Sequence, residues 1–120
     1  MADAPDVRAS ARFIPMGPQK VRLVVDLIRG RDATQALQIL RFERKAAARP
    51  LAKLLRSAIA NAEENFGMSQ EDLMVSEVFA DEGPTRRWRR FGARGRFKPI
   101  LRRTSHITVV LREREKVAAS

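Results

Sequence analysis

Between Pro84 and Thr104 the chain carries nine basic residues and no acidic one. They are Arg86, Arg87, Arg89, Arg90, Arg94, Arg96, Lys98, Arg102 and Arg103, interleaved with Trp88, Phe91 and Phe97. The whole chain has formal charge +10 from 24 basic and 14 acidic residues; without this segment 15 basic residues face 14 acidic ones, a net of +1. Like charges about 7 Å apart on one strand face repel by roughly 0.6 kcal/mol per neighbouring pair in water. A fold gains nothing from that repulsion, so the segment points to a polyanionic partner. Arginine offers a planar fork for phosphate and a surface for stacking. Aromatic rings stack on unpaired bases, worth roughly 1–3 kcal/mol per base. The mixture suits folded RNA, with its irregular loops and exposed bases, and leaves duplex DNA open. No helix-turn-helix or zinc-finger pattern is visible.

Other residues offer weaker chemistry. Arg8 and Arg12 can extend a nucleic-acid surface from a first strand, and Lys20 and Arg22 lie near a helix start, which itself favours anions. Lys45 and Arg49 sit similarly. His106 is the sole histidine and the chain has no cysteine, which argues against a transition-metal site and excludes disulfides. Ser105 and His106 are adjacent on a strand and point to opposite faces, so they cannot act as nucleophile and base. A sheet-surface histidine that touches a partner is the better reading. The acidic pairs Glu63-Glu64, Glu71-Asp72 and Asp81-Glu82 would serve metal-dependent nuclease chemistry only if they converged in space. Asp26, inside an apolar helix run, is expected to pair locally with Lys20, Arg22 or Arg29.

The elements that must position these groups follow from the apolar pattern. Val7 to Ile14 reads as an edge strand, with Arg8 and Arg12 able to share a face. Gly17 and Pro18 suit the N-cap and first position of a helix. In that helix Val21, Val24, Val25 and Ile28 form the buried stripe, and Gly30 closes it. Asp32 opens a short second helix, with Gln35 completing a capping-box-like pair and Ala36, Leu37, Ile39 and Leu40 apolar. A third helix spans about Ala46 to Asn65, with Leu51, Leu54, Leu55, Ala58, Ile59 and Ala62 buried. Pro50 is tolerable there only in the first turn. Leu73 to Ala80 and Ser105 to Leu111 read as strands, the latter with Ile107, Val109 and Leu111 on one face and His106, Thr108 and Val110 on the other.

The expected architecture is α+β. A small three-stranded antiparallel sheet packs with three helices, and a long basic β-hairpin protrudes. Two arms of the hairpin would reach roughly 30 Å at ~3.3 Å per residue, turning near Gly92 and Gly95. The 120 residues make a single domain, with 84–104 as the hairpin and 113–120 as a flexible tail. The first residues lack the basic and apolar regions of a signal peptide, and no apolar run approaches the ~20 residues that span a bilayer.

Several blocks resemble the bacterial large-subunit ribosomal protein L-twenty-two family. Pro18-Gln19-Lys20-Val21-Arg22-Leu23-Val24-Val25-Asp26-Leu27-Ile28-Arg29-Gly30 is similar to its first helix. Ser57-Ala58-Ile59-Ala60-Asn61-Ala62-Glu63 is similar to its third. Asp81-Glu82-Gly83-Pro84-Thr85 is similar to its approach to the hairpin. Gly95-Arg96 and Arg103-Thr104-Ser105-His106-Ile107-Thr108-Val109-Val110 are similar to the return. The blocks run in order through nearly the whole chain.

The resemblance implies a non-enzymatic structural constituent of the large ribosomal subunit, in the cytoplasm. It would bind large-subunit ribosomal RNA, contribute to early assembly and touch neighbouring ribosomal proteins. It implies no cofactor, membrane or small-molecule substrate. The resemblance carries an RNA-binding role to Arg86, Arg87, Arg89, Arg90, Arg94, Arg96, Arg102 and Arg103 by position on the hairpin, and to Lys20, Arg22, Asn61, Thr104 and His106 by motif; the composition of the segment adds Trp88, Phe91 and Lys98. The tip, Arg89, Arg90, Phe91, Gly92, Ala93 and Arg94, would line the nascent-peptide exit tunnel and meet the nascent peptide. Three positions depart from the family pattern: Gly17-Pro18-Gln19 replaces Ser-Pro-Arg, the tip differs from a Pro-Arg-Ala-Lys type, and Phe97-Lys98-Pro99 is bulkier than usual. The alternatives are a free RNA or DNA chaperone and, with no catalytic set to support it, a nuclease.

Overall fold

The computed structural model describes residues 6–84, 86–91 and 97–114, with the backbone alone described in 86–91 and 97–102. The elements in chain order are β1 (Val7–Ile14), α1 (Pro18–Ile28), α2 (Ala33–Phe42), α3 (Ala48–Phe66), a 3₁₀ turn (Gln70–Asp72), β2 (Leu73–Glu82), β3 (Arg86–Phe91), β4 (Phe97–Arg102) and β5 (Ser105–Glu113). β1, β5 and β2 form an antiparallel sheet with β5 in the centre, so the three helices and this sheet make an α+β fold. β3 and β4 pair separately, from Arg86 opposite Arg102 to Phe91 opposite Phe97.

The helices cover one face of the sheet. Val21, Val24, Val25 and Ile28 of α1 are fully buried, as are Leu51, Leu55 and Ala58 of α3, against Val75 and Val78 of β2 and Ile107, Val109 and Leu111 of β5. Each such large side chain contributes about 1.5–3 kcal/mol by leaving water. Gly17 is the N-cap of α1 and Pro18 follows at its start. Pro50 is the third residue of α3, where its missing N–H is one of the donors that a helix start leaves without an intrahelical partner. The helix closes at Gly67, with the Met68 N–H donating to the Ala62 carbonyl at 3.1 Å.

Some local expectations change. Asp32 is the N-cap residue of α2, yet its side chain makes no capping bond, so the box with Gln35 does not form. Its carboxylate faces the Arg114 guanidinium at 3.5 Å instead. β5 continues through Glu113, opposite Leu73, and the Arg114 N–H donates to the Asp72 carbonyl. The chain is therefore still ordered by pairing two residues into the segment expected as a tail; 115–120 lie outside the described residues. Val110, expected on the outward face, is buried although it lies outside the main core cluster. It is flanked in register by Arg8 and Glu77.

The outer edge of β2 is closed by α1 and the loop after it. Gly30, at φ +77°, donates its N–H to the Val75 carbonyl at 3.0 Å, and the Val75 N–H donates to the Arg31 carbonyl at 2.8 Å. A residue with a Cβ would be strained at that φ. Arg29 donates to the Val78 carbonyl at 2.9 Å, and Arg22 to the Ala80 carbonyl at 3.1 and 3.3 Å. These bonds satisfy edge groups that would otherwise invite another strand.

Candidate nucleic-acid interface

The uncovered face of the sheet carries one set of expected contacts. In register, Ser10 lies beside Thr108 and Thr108 beside Phe79, while His106 lies beside Asp81. Arg8 begins this face on β1 and is exposed. Regular pairing of β1 stops at Ala11 and resumes at Ile14, so strand alternation no longer places Arg12 on the face of Arg8. The intervening bulge holds Phe13 at φ +59°.

His106 fixes that bulge. Its Nδ1 accepts the Phe13 N–H at 3.1 Å, and its ring meets the Phe13 ring edge-on, with centroids 5.0 Å apart. An Nδ1 that accepts carries no proton, so the neutral ring bears its proton on Nε2. That second nitrogen is a donor, matched to an oxygen acceptor.

The root of the β3–β4 segment is built just beside His106. The Gly83 N–H donates to the Thr104 carbonyl at 2.9 Å, and Thr104 Oγ1 donates to the Pro84 carbonyl at 2.8 Å. A Cβ on Gly83 would lie 2.4 Å from Thr104 Oγ1 and 3.2 Å from the Thr104 backbone. Glycine is therefore required by close approach, not by φ. Ser105 is fully buried and donates from Oγ to the Met16 carbonyl at 2.6 Å. Arg103 is exposed. Arg103, Thr104 and His106 are thus held together where the basic segment meets the body.

The remaining expected residues lie apart from this root. Lys20 is exposed in the first turn of α1. Arg22 commits donors to Ala80, so it pins α1 to β2 as well as presenting charge. Asp26 pairs with Arg29 at 2.5 Å, one of the three partners expected for it. Asn61, half-buried on α3, accepts from Asn65 through its Oδ1. Gly92, Ala93, Arg94 and Arg96 lie outside the described residues. For Arg86, Arg87, Trp88, Arg89, Arg90, Phe91, Lys98 and Arg102 the backbone register is what is described. It sets Arg86 opposite Arg102 and Arg90 opposite Lys98, like-charged pairs that a ladder alone does not favour.

Among the described residues no group of three or more His, Asp or Glu is placed to hold a metal ion, and the acidic pairs do not converge into one. No described helix is long and apolar enough to cross a membrane.

Residues 9–112 match the protein family described as ribosomal protein L22p/L17e. The chain belongs to that family. Membership makes it a structural constituent of the large ribosomal subunit, in a family that is not enzymatic, and places it in the ribosome of the cytoplasm. The L22 match begins inside β1 and ends inside β5, so it takes in the β3–β4 segment and its root.

One basic cluster on this L22 chain is only half visible in the sequence, through Lys45 and Arg49. Arg41, Arg44, Lys53 and Arg56 join Lys45 and Arg49 around a groove between α2 and α3. The signal was present in part: Arg49, Lys53 and Arg56 recur at helical spacing, opposite the buried stripe of α3. The contribution of α2 and the loop has no such period.

Proposed function

We propose that this L22-family chain is a single RNA-binding domain that anchors in large-subunit ribosomal RNA through its basic segment 84–104, joins early in subunit assembly, and sends that segment along the exit tunnel as a projecting hairpin. The observation that carries the reading is the conjunction of the family match with nine basic residues, three aromatics and no acid in one segment. Arg8, Arg12, Lys20, Arg22, Asn61, Thr104 and His106 add contacts on the body. Arg103, Thr104 and His106 sit at the segment's root, where phosphate and sugar oxygens meet donors of three different geometries. The tip, Arg89 to Arg94, borders the nascent peptide, and neighbouring ribosomal proteins touch the body.

Sedimentation tests the reading. Tagged protein should travel with the large subunit on a sucrose gradient and resist a moderate salt wash. Recovery only at the top of the gradient would favour a free RNA chaperone. Deleting Phe91-Gly92-Ala93 should spare subunit assembly and alter stalling by arrest peptides; failed assembly would mean that the tip anchors instead of lining the tunnel.

A further inference from the structure

We infer that Ser105 is a positioning residue for the basic segment: its buried hydroxyl, bonded to the turn between β1 and α1, fixes the direction in which β3 and β4 leave the body. The consequence drawn for RNA rests on the RNA-binding reading above; the geometry does not. Among the described residues Ser105 is the one polar side chain that is fully buried. A buried hydroxyl costs free energy unless it is bonded. Apolar side chains fill the same face of β5 at Ile107, Val109 and Leu111, so packing alone would be served by alanine at 105. The hydroxyl instead donates to the Met16 carbonyl at 2.6 Å, across 89 positions of the chain.

Four consecutive residues at the foot of the return arm make two kinds of contact. Thr104 ties the two arms to each other. Its carbonyl accepts the Gly83 N–H at 2.9 Å, and its Oγ1 donates to the Pro84 carbonyl at 2.8 Å. The other three reach a third segment, residues 13–17. Ser105 holds Met16, and His106 Nδ1 accepts the Phe13 N–H at 3.1 Å. The Arg103 side chain lies over Gly17, where an added Cβ would stand 3.7 Å from Arg103 Cδ. Bonds between the arms close the ladder but leave it free to swing as a unit. Bonds from one arm to a third segment remove that freedom, because a swing would stretch them beyond hydrogen-bond length.

The third segment is a firm anchor. Pro15 and Pro18 have φ fixed by their rings, and Pro18 is buried at the start of α1. The Met16 N–H donates to the Ile14 carbonyl at 2.7 Å. Phe13 sits at φ +59°, a conformation that an aromatic residue adopts rarely and keeps only where its surroundings impose it. The bond to His106 and the edge-on ring contact at 5.0 Å are those surroundings. From its buried place Ser105 cannot touch RNA, so any effect it has on RNA binding passes through the segment it holds. A segment already aimed avoids the loss of freedom that a swinging one suffers on binding.

The test uses the full chain, which has no cysteine. Spin labels at Lys53→Cys on α3 and Arg89→Cys on β3 report the direction of the segment as a distance distribution. The parent should give one narrow peak. Ser105→Ala should broaden it, and Ser105→Thr, which keeps the hydroxyl, should narrow it again. His106→Phe keeps a ring beside Phe13 but removes Nδ1; it should broaden the peak too, and it serves if Ser105→Ala does not fold. Ile28→Val, a core change at the far end of α1, should lower the melting temperature and leave the peak unaltered. In unlabelled protein, Ser105→Ala should weaken binding to a transcript of large-subunit ribosomal RNA about three- to tenfold. The log–log salt slope should stay at the parent value, because no cation is lost. A broad peak in the parent, a narrow one in the folded Ser105 and His106 variants, or equal broadening by Ile28→Val would overturn the inference. A slope that falls together with the affinity would do so too, since phosphate contacts would then have been lost. A parent chain without salt-dependent binding would instead sink the RNA reading and leave the distances to judge the positioning.

Discussion

Two basic regions of this molecule are made in opposite ways. The segment 84–104 is written as a continuous run, nine cations with no acid. The groove is assembled from the end of α2, a loop and the first two turns or so of α3. The first raises the charge of the whole chain. The second hides inside a body whose net charge is only +1, because acids elsewhere, such as Glu63, Glu64, Glu71 and Glu77, cancel it in the sum but not in place. Net charge is thus a poor guide to a folded surface, where the field depends on separation.

The largest expected effect comes from the continuous run. Replacing Arg86, Arg87, Arg89 and Arg90 by Ala should lower the salt slope for ribosomal RNA by about three units. Joining Pro84 to Arg103 through a short glycine turn should remove more, and should leave a body that unfolds cooperatively and keeps only the weaker contacts proposed for Arg8, Lys20 and Arg22. A body that melts without cooperativity would break the division into two regions. Loss of all RNA binding would leave the run as the sole attachment.

An intermediate effect is expected at the root that joins the two regions. Gly83→Ala places a methyl group against Thr104 and should destabilise the protein by about 1–3 kcal/mol. Adding Thr104→Ala removes the nearest atom and should restore part of the loss, read by thermal melting. If the single variant is neutral, the root is looser than the clamp described.

The smallest effect sharpens the contrast from the other side. Asp6 is held below the usual carboxylate range, first by its hydrogen bonds from Arg112 at 2.8 and 3.2 Å and then by the charges of Arg112 and Arg8. A lowered folded value means the contribution is complete above the ordinary carboxylate range and fades as pH falls through the folded value. Because the pair is exposed, the stability gained is small. Asp6→Asn should flatten the acid limb of the melting curve slightly and leave the salt slope for RNA unaltered. A marked change in RNA binding would show that the Asp6–Arg112 pair belongs to the basic surface.

Much of the body was legible from residue order. The stripe of Val21, Val24, Val25 and Ile28, and that of Leu51, Leu54, Leu55, Ala58, Ile59 and Ala62, are buried as their period requires. Gly17-Pro18 opens α1 as expected because backbone conformation at a helix end is a local matter. The basic run was legible for the same reason: its residues are neighbours in the chain. Asp32 was misread because its competing partner, Arg114, stands far away in sequence.

What the sequence by itself determined, then, is everything set by neighbours: helices, strands, the charge of 84–104 and the family blocks. Tertiary structure alone decided the rest. It spent Arg22 and Arg29 on the open edge of β2, set His106 Nδ1 against the Phe13 amide and forced Gly83 against Thr104. It also drew Arg41 and Arg44 toward Lys53 and Arg56. Each of these depends on how groups that the chain separates are placed in space, because Coulomb forces, hydrogen bonds and steric contacts follow distance and orientation, not separation along the chain.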